Sequence, residues 1–218
     1  MAIVNSRSTL ATDPIRNFRF LVKFQPQDTS NTGFSADGKS LAEVTMGFTS
    51  VTGLAVTTDS IPYREGGYNT TVHQIPGQTS FTPLMLQRGV MLGTPQNWNW
   101  MKQLFATVQA NGSTLSTGKN FRCDLEIQVL NHPVASAGAD VTSGNATTAA
   151  TAPDQIAMRF KVFNAWPTTV AYSDLNAGDN ALYVEQMTLV HEGFDLNWGA
   201  FTASSGGGGT FTPAADFS

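Results

Sequence analysis

Two segments near the C-terminus, Lys161–Pro167 and Tyr183–Phe194, alternate polar and apolar side chains and are separated by the turn-rich stretch Ser173–Asn180. Period two is the repeat of an extended strand, whose successive side chains point to opposite faces, so the pair reads as two half-buried strands. The same alternation is clearest in Phe121–Leu130, where Arg122, Asp124, Glu126 and Gln128 interleave with Phe121, Cys123, Leu125, Ile127 and Val129. Further strands are read at Phe18–Phe24, Leu41–Ser50, Thr79–Val90, Ile156–Trp166 and Leu182–Asp195.

One helix stands among them. Thr94 suits an N-cap, Pro95 the first helical position, and Asn111-Gly112 a C-terminal stop. Trp98, Met101, Phe105 and Val108 recur at helical spacing, widened by Leu104, and the spacing predicts that this stripe packs on the sheet. Six to eight strands and one helix exclude an alternating βαβ fold. The expected fold is β-dominated: two packed antiparallel sheets forming a sandwich or barrel, capped by the helix.

The 218 residues contain no internal repeat and no linker between core-sized blocks, so a single domain spans 1–218. Three stretches fall outside the strand pattern: an N-terminal arm (1–13), an Ala/Thr/Gly/Ser-rich surface insertion (132–155), and a flexible C-terminal tail (199–218) containing Gly206–Gly209. Ala55–Gln78, rich in Thr, Gly and Pro, lacks a core pattern and is too long for an idle loop.

Charged residues make up 13% of the chain, against roughly 25% in typical soluble domains. Thr, Ser, Asn, Gln and Gly fill the polar positions, side chains that are cheaper to desolvate than Lys or Glu. This composition fits a surface largely covered by neighbours. The net charge of −4 offers no basic face for nucleic acid and no polybasic segment for a membrane. No apolar run is long enough to span a bilayer, and no secretory leader is read at the N-terminus, so the chain is expected to be made in the cytoplasm. The sequons at Asn69, Asn111 and Asn145 then carry no consequence.

Catalytic patterns are missing. His73, His132 and His191 lie far apart without metal-ligand spacing, and no GxSxG elbow or phosphate loop occurs. Cys123 alternates in phase with core residues and reads as a small buried side chain. Asp124 and Glu126 share one strand face about 7 Å apart, a spacing compatible with glycosidase chemistry. Beside Arg122 and Gln128 they read instead as a solvated or interface face. No enzyme activity, cofactor or metal is expected.

Several segments, in order, resemble the tail tube proteins of contractile phages and phage-tail-like contractile injection systems. They are Gly53-Leu54, Tyr63-Arg64-Glu65-Gly66-Gly67, Pro76-Gly77, Leu86-Gln87-Arg88-Gly89, the Trp-bearing helix, Asn164-Ala165-Trp166-Pro167, Glu185, and His191-Glu192-Gly193. The resemblance implies hexameric rings whose sheets close into a continuous β-barrel. The rings would stack into a hollow tube driven through a target envelope, conducting cargo or DNA. Its implied partners are further copies of itself, a sheath protein, baseplate or spike, and tube-terminating proteins, with the target membrane met only indirectly. Within that picture Ala55–Gln78 is an arm reaching an adjacent subunit or the next ring. Tyr63, Arg64 and Glu65 make subunit contacts there, and Gly66 and Gly67 permit a tight turn. Asn164, Trp166, Pro167, Glu185, His191, Glu192 and Gly193 are structural, with Trp166 a core or interface anchor, Pro167 at a strand end, and Glu185, His191 and Glu192 in strand and strand-end hydrogen bonding. Two other readings remain open: an effector-carrying ring of a type VI secretion apparatus, and a monomeric carbohydrate-active sandwich using Asp124 and Glu126.

Overall fold

The computed structural model describes residues 14–27, 47–67, 70–93, 95–109, 121–131, 156–178, 180–203 and 209–217. The N-terminal arm, most of Leu41–Ser50, the 132–155 insertion, the Thr94 cap and the Asn111-Gly112 stop lie outside these residues.

The strands are β1 (Phe20–Pro26), β2 (Ser50–Thr52), β3 (Val56–Tyr63), β4 (His73–Phe81), β5 (Leu84–Gly89), β6 (Cys123–Leu130), β7 (Ile156–Tyr172), β8 (Val184–Val190), β9 (Gly193–Trp198), β10 (Ala200–Ala203) and β11 (Gly209–Thr212). One helix, α1 (Gln96–Gln109), lies between β5 and β6. The 17-residue β7 organises the chain. Its first half pairs with β6 on one side and β9 on the other, and β6 pairs with β1. Its second half pairs with β8, followed by β5 and β2. Two antiparallel sheets therefore share one bent strand, and they do not close into a barrel within the single chain.

The apolar phase of each sheet faces the other. Phe24, Leu125, Ile127 and Val162 come from the first sheet and Leu84, Leu86, Met187 and Leu189 from the second. Trp100 of α1 completes this core, its indole N–H donating to the Phe121 carbonyl at 2.7 Å while its ring meets Phe24 edge-on.

The structure corrects several sequence expectations. Phe18 is exposed, and β1 begins two residues later than read. Thr79–Val90 is two strands, broken at Thr82-Pro83 where the chain leaves one sheet for another. Leu182–Asp195 breaks at His191-Glu192, opposite the bend in β7. Pro167 does not end its strand: β7 runs on to Tyr172, and Pro167 is buried beside a register shift, where its missing N–H is tolerated. Of the four residues of the expected apolar stripe, the helix buries only Met101. Asn97, Trp100, Met101 and Gln103 are buried, while Trp98, Phe105 and Val108 point outward.

The Gly-containing end is no plain linker. Residues 200–203 and 209–212 pair as a hairpin, and Ala214 is buried. The Ala214 N–H donates to the Ile156 carbonyl at 2.9 Å, and Arg159 Nε donates to the Ala214 carbonyl at 3.0 Å. Arg159 also pairs with Glu126 at 2.5 Å and with Asp216. The buried guanidinium thus anchors the last residues over the polar face of β6, so Glu126 and Gln128 are buried and not solvated.

Candidate assembly surfaces and the polar clusters that shape them

Ala55–Gln78 is not loop but most of a hairpin, β3 with β4, forming a two-stranded sheet of its own. Eight strand residues reach about 26 Å at 3.3 Å each. Every residue of β3 and all but one of β4 are exposed, and Val56, Ile61, Tyr63 and Ile75 each keep about half their surface in water. With both faces exposed there is no core alternation, which is why the sequence pattern reads as featureless. The base of the hairpin is fixed tightly. Gly53 has φ of 100°, and a Cβ there would come within 2.1 Å of the Pro83 carbonyl oxygen. The Thr82 N–H donates to the Ala55 carbonyl, while the Thr82 carbonyl lies 3.0 Å from His191 Nε2. A carbonyl only accepts, so Nε2 is the protonated nitrogen of that ring. His191 also packs against Phe81 and Phe194, holding the arm's root to the body.

At the tip, Gly67 has φ of 101°, the conformation a tight turn asks of glycine. Arg64 and Glu65 are exposed and, among the described residues, form no ion pair with each other or with the body.

The bend in β7 is built on Asn164, the only non-glycine residue with positive φ (53°) among those described. Asn is one of the few non-glycine residues that tolerate this left-handed backbone. Opposite the bend, Cys123 pairs with Ala165 but Leu125 with Val162, so β7 carries one extra residue, a bulge. Asn164 N–H donates to Asp124 Oδ1 at 2.9 Å, and Asn164 Nδ2 donates to Glu192. Gln27 donates to both Asn164 and Asp124, and Arg122 meets Glu192 at 2.6 Å. Thus Asn164 and Glu192, distant in sequence, sit in one surface cluster. Asp124 and Glu126 serve different clusters, the first holding this bulge and the second holding Arg159. Trp166, half-buried, meets Phe121 edge-on.

Glu185 lies in a second cluster, inside. Its Oε2 accepts from Arg88 Nε at 2.5 Å and from Asn97 Nδ2 of α1 at 3.1 Å, and its Oε1 accepts from the Tyr172 hydroxyl at 3.1 Å. Arg88 and Glu185 are only 2% and 3% exposed. Burial, followed by the adjacent Glu185 carboxylate, raises the Tyr172 phenol above its ordinary value. The sequence reading assigned no role to Arg88, Asn97 or Tyr172. A signal existed for Arg88, which continues the apolar phase Leu84, Leu86, as Glu185 continues Met187, Leu189. A charge in the apolar phase of a strand has to find its opposite inside.

Burial pushes the Cys123 thiol far above its ordinary range, so it is no nucleophile. Among the described residues no group of His, Cys, Asp and Glu forms a metal cluster, and no helix is long and apolar enough to cross a membrane.

The molecule so defined is a structural β subunit with open sheet edges and an arm that finds no cover among the described residues. The sequence profile of the T4-like virus tail tube protein gp19 family matches residues 16–195, and the chain belongs to that family. It is a structural tail tube protein. Among solved structures it is similar to a chain of the PVC extracellular contractile injection system sheath–tube complex in the extended state. That pair shares 22% identity at a TM-score of 0.58, covering 88% of this chain and 98% of the other. It also resembles a chain of the anti-feeding prophage tube-terminating cap (20% identity, TM-score 0.57, 90% and 99% covered) and one of the six-fold symmetrised anti-feeding prophage baseplate (21%, 0.56, 85% and 96%). No curated protein matches the chain.

Proposed function

We propose that six copies of this chain form a ring whose second sheets join edge to edge into one barrel, and that rings stack into a hollow tube. The observation that carries this reading is the β3–β4 arm. A two-stranded hairpin with both faces wet is marginally stable on its own, and half-exposed Val56, Ile61, Tyr63 and Ile75 gain by burial against another subunit. In this reading Tyr63, Arg64 and Glu65 meet the neighbouring copy, and Gly66 and Gly67 turn the tip toward it.

The sheet edges support lateral closure. Edge strands that stay solitary are normally guarded by Lys, Pro or other charges. β1 carries Lys23 and Pro26 and β9 carries Asp195, whereas β2 holds neither charge nor proline and the outer half of β7 holds no charge, its single proline, Pro167, lying at its start. A sheath outside the tube, a baseplate or spike at one end, a terminating protein at the other, and cargo or DNA within complete the assembly. It is built in the bacterial cytoplasm, and the tube performs no catalysis.

Negative-stain microscopy of the purified chain tests the reading. Six-fold annuli or rods are expected, and a species that remains monomeric at high concentration refutes it. Arg64→Glu is expected to shorten the rods without changing the fold of the chain by circular dichroism.

A further inference from the structure

The two faces of the second sheet are sorted by charge, and this sorting assigns the wall of the bore. Along β2, β5, β8 and the half of β7 from Trp166 onward, only two residues are charged, Arg88 and Glu185. Both turn inward to pair with each other beneath α1. The opposite face carries Thr52, Met85, Gln87, Gln186, Thr188 and Thr169, with Val184 and Val190 at the two ends of β8. In register, Met85 lies beside Thr188, Thr188 beside Thr169, and Gln87 beside Gln186, a continuous uncharged surface across the sheet. The first sheet is the reverse. On its outward face Lys23, Glu126, Lys161 and Asp195 stand in one register row, alternating in sign over four strands.

We infer that the uncharged face of the second sheet lines the lumen of the tube, giving a neutral wall of hydroxyls, amides and apolar side chains that holds no polymer electrostatically. The inference rests on the ring reading proposed above. If second sheets join edge to edge, the face bearing Leu84, Leu86, Met187 and Leu189 is occupied by the subunit's own helix and first sheet. These lie outside the barrel, so the other face is the one turned to the bore. A wall without formal charge binds neither phosphates by counterion release nor basic segments by ion pairing. Passage along such a wall is indifferent to the charge of what passes.

Cysteine accessibility tests the assignment directly. Gln87→Cys and Gln186→Cys are placed singly in the chain, where buried Cys123 stays unmodified. In the unassembled protein both react with N-ethylmaleimide and with a maleimide on a large polyethylene glycol. In tubes the small reagent still labels them, and labelling by the polymer reagent is lost except at tube ends. Labelling by the polymer along assembled tubes, or loss of labelling by both reagents, overturns the assignment. A second measurement addresses the charge. Wild-type tubes are expected to retain no fluorescent single-stranded oligonucleotide at low salt, whereas Gln87→Lys tubes retain it and release it as salt rises. Retention by wild-type tubes refutes the neutral wall. If the wild-type chain forms no tubes at all, the ring reading itself fails, an outcome distinct from either of these.

Discussion

The first sheet sets Lys23, Glu126, Lys161 and Asp195 in one row on its outward face, Glu126 buried there beneath the C-terminal residues, whereas the second carries only Arg88 and Glu185 and turns both inward. Both sheets use the same period-two backbone and share β7, yet they place charge on opposite sides. The contrast shows how one strand order serves two environments. A surface bathed in solvent or facing a polar partner tolerates alternating charges at little cost. A face that must stay smooth can be cleared only by moving its charges into the core, and there they have to be paired and hydrogen-bonded. The same division separates two ion pairs of nearly equal length. Arg88–Glu185 is almost wholly buried, while Arg122–Glu192 has side chains 41% and 54% exposed.

The sharpest break of this comparison comes from the arm, which belongs to neither sheet. Ile61 and Ile75 face each other in register. The double variant Ile61→Asp, Ile75→Asp is expected to abolish rods in electron microscopy while leaving the denaturation midpoint of the chain unchanged. A fall in midpoint would mean that the arm belongs to the subunit's own core. Next, Glu185→Ala leaves Arg88 buried without its carboxylate and is expected to cost about 3–5 kcal/mol in chemical denaturation. Replacing Arg88 and Glu185 together by Met and Leu should recover most of that loss. If the single variant is nearly silent, the inward pair is not what keeps the second sheet smooth.

Asn164→Val forces a β-branched residue into φ of 53° and removes the bonds to Asp124 and Glu192, for a loss of about 1–3 kcal/mol. Asn164→Gly, free of the backbone strain, should lose less. Arg122→Ala breaks the exposed pair and is expected to change stability by about 0–1 kcal/mol, vanishing at high salt.

The smallest effect concerns Tyr172. Its folded-state phenol titrates above the unfolded value, so its contribution is complete below about pH 10 and is lost as pH rises through the folded value. Tyr172→Phe should flatten the alkaline limb of the stability profile relative to wild type.

Much of the body was legible because burial on one side leaves a readable alternation. Phe121–Leu130 announces β6 in this way, and Ile156–Trp166 announces most of β7. Where that condition fails, the reading fails with it. The arm shows water on both faces, so its strands leave no alternation to read. In α1 the apolar stripe was assigned inward, yet Asn97 is drawn inside by Glu185 from a strand 88 residues away, and Trp98, Phe105 and Val108 are left outside. The C-terminal stretch read as linker because of its glycines, while its anchor, Arg159, lies 55 residues earlier at the carbonyl of Ala214. Of the polar clusters, Asn164 and Glu192 were named as structural positions, but their meeting at the bulge depends on register that no local pattern encodes.

The chain by itself determined a β-dominated domain, the lack of catalytic and metal-binding patterns, and the family resemblance, because these depend on side-chain type and on spacing along a few residues. The tertiary structure alone decided which face of each sheet is charged, which way the helix turns, and how the arm's root is held at Gly53, Thr82 and His191. Those outcomes are set by pairs distant in sequence, since a buried charge or donor takes its partner wherever the fold supplies one.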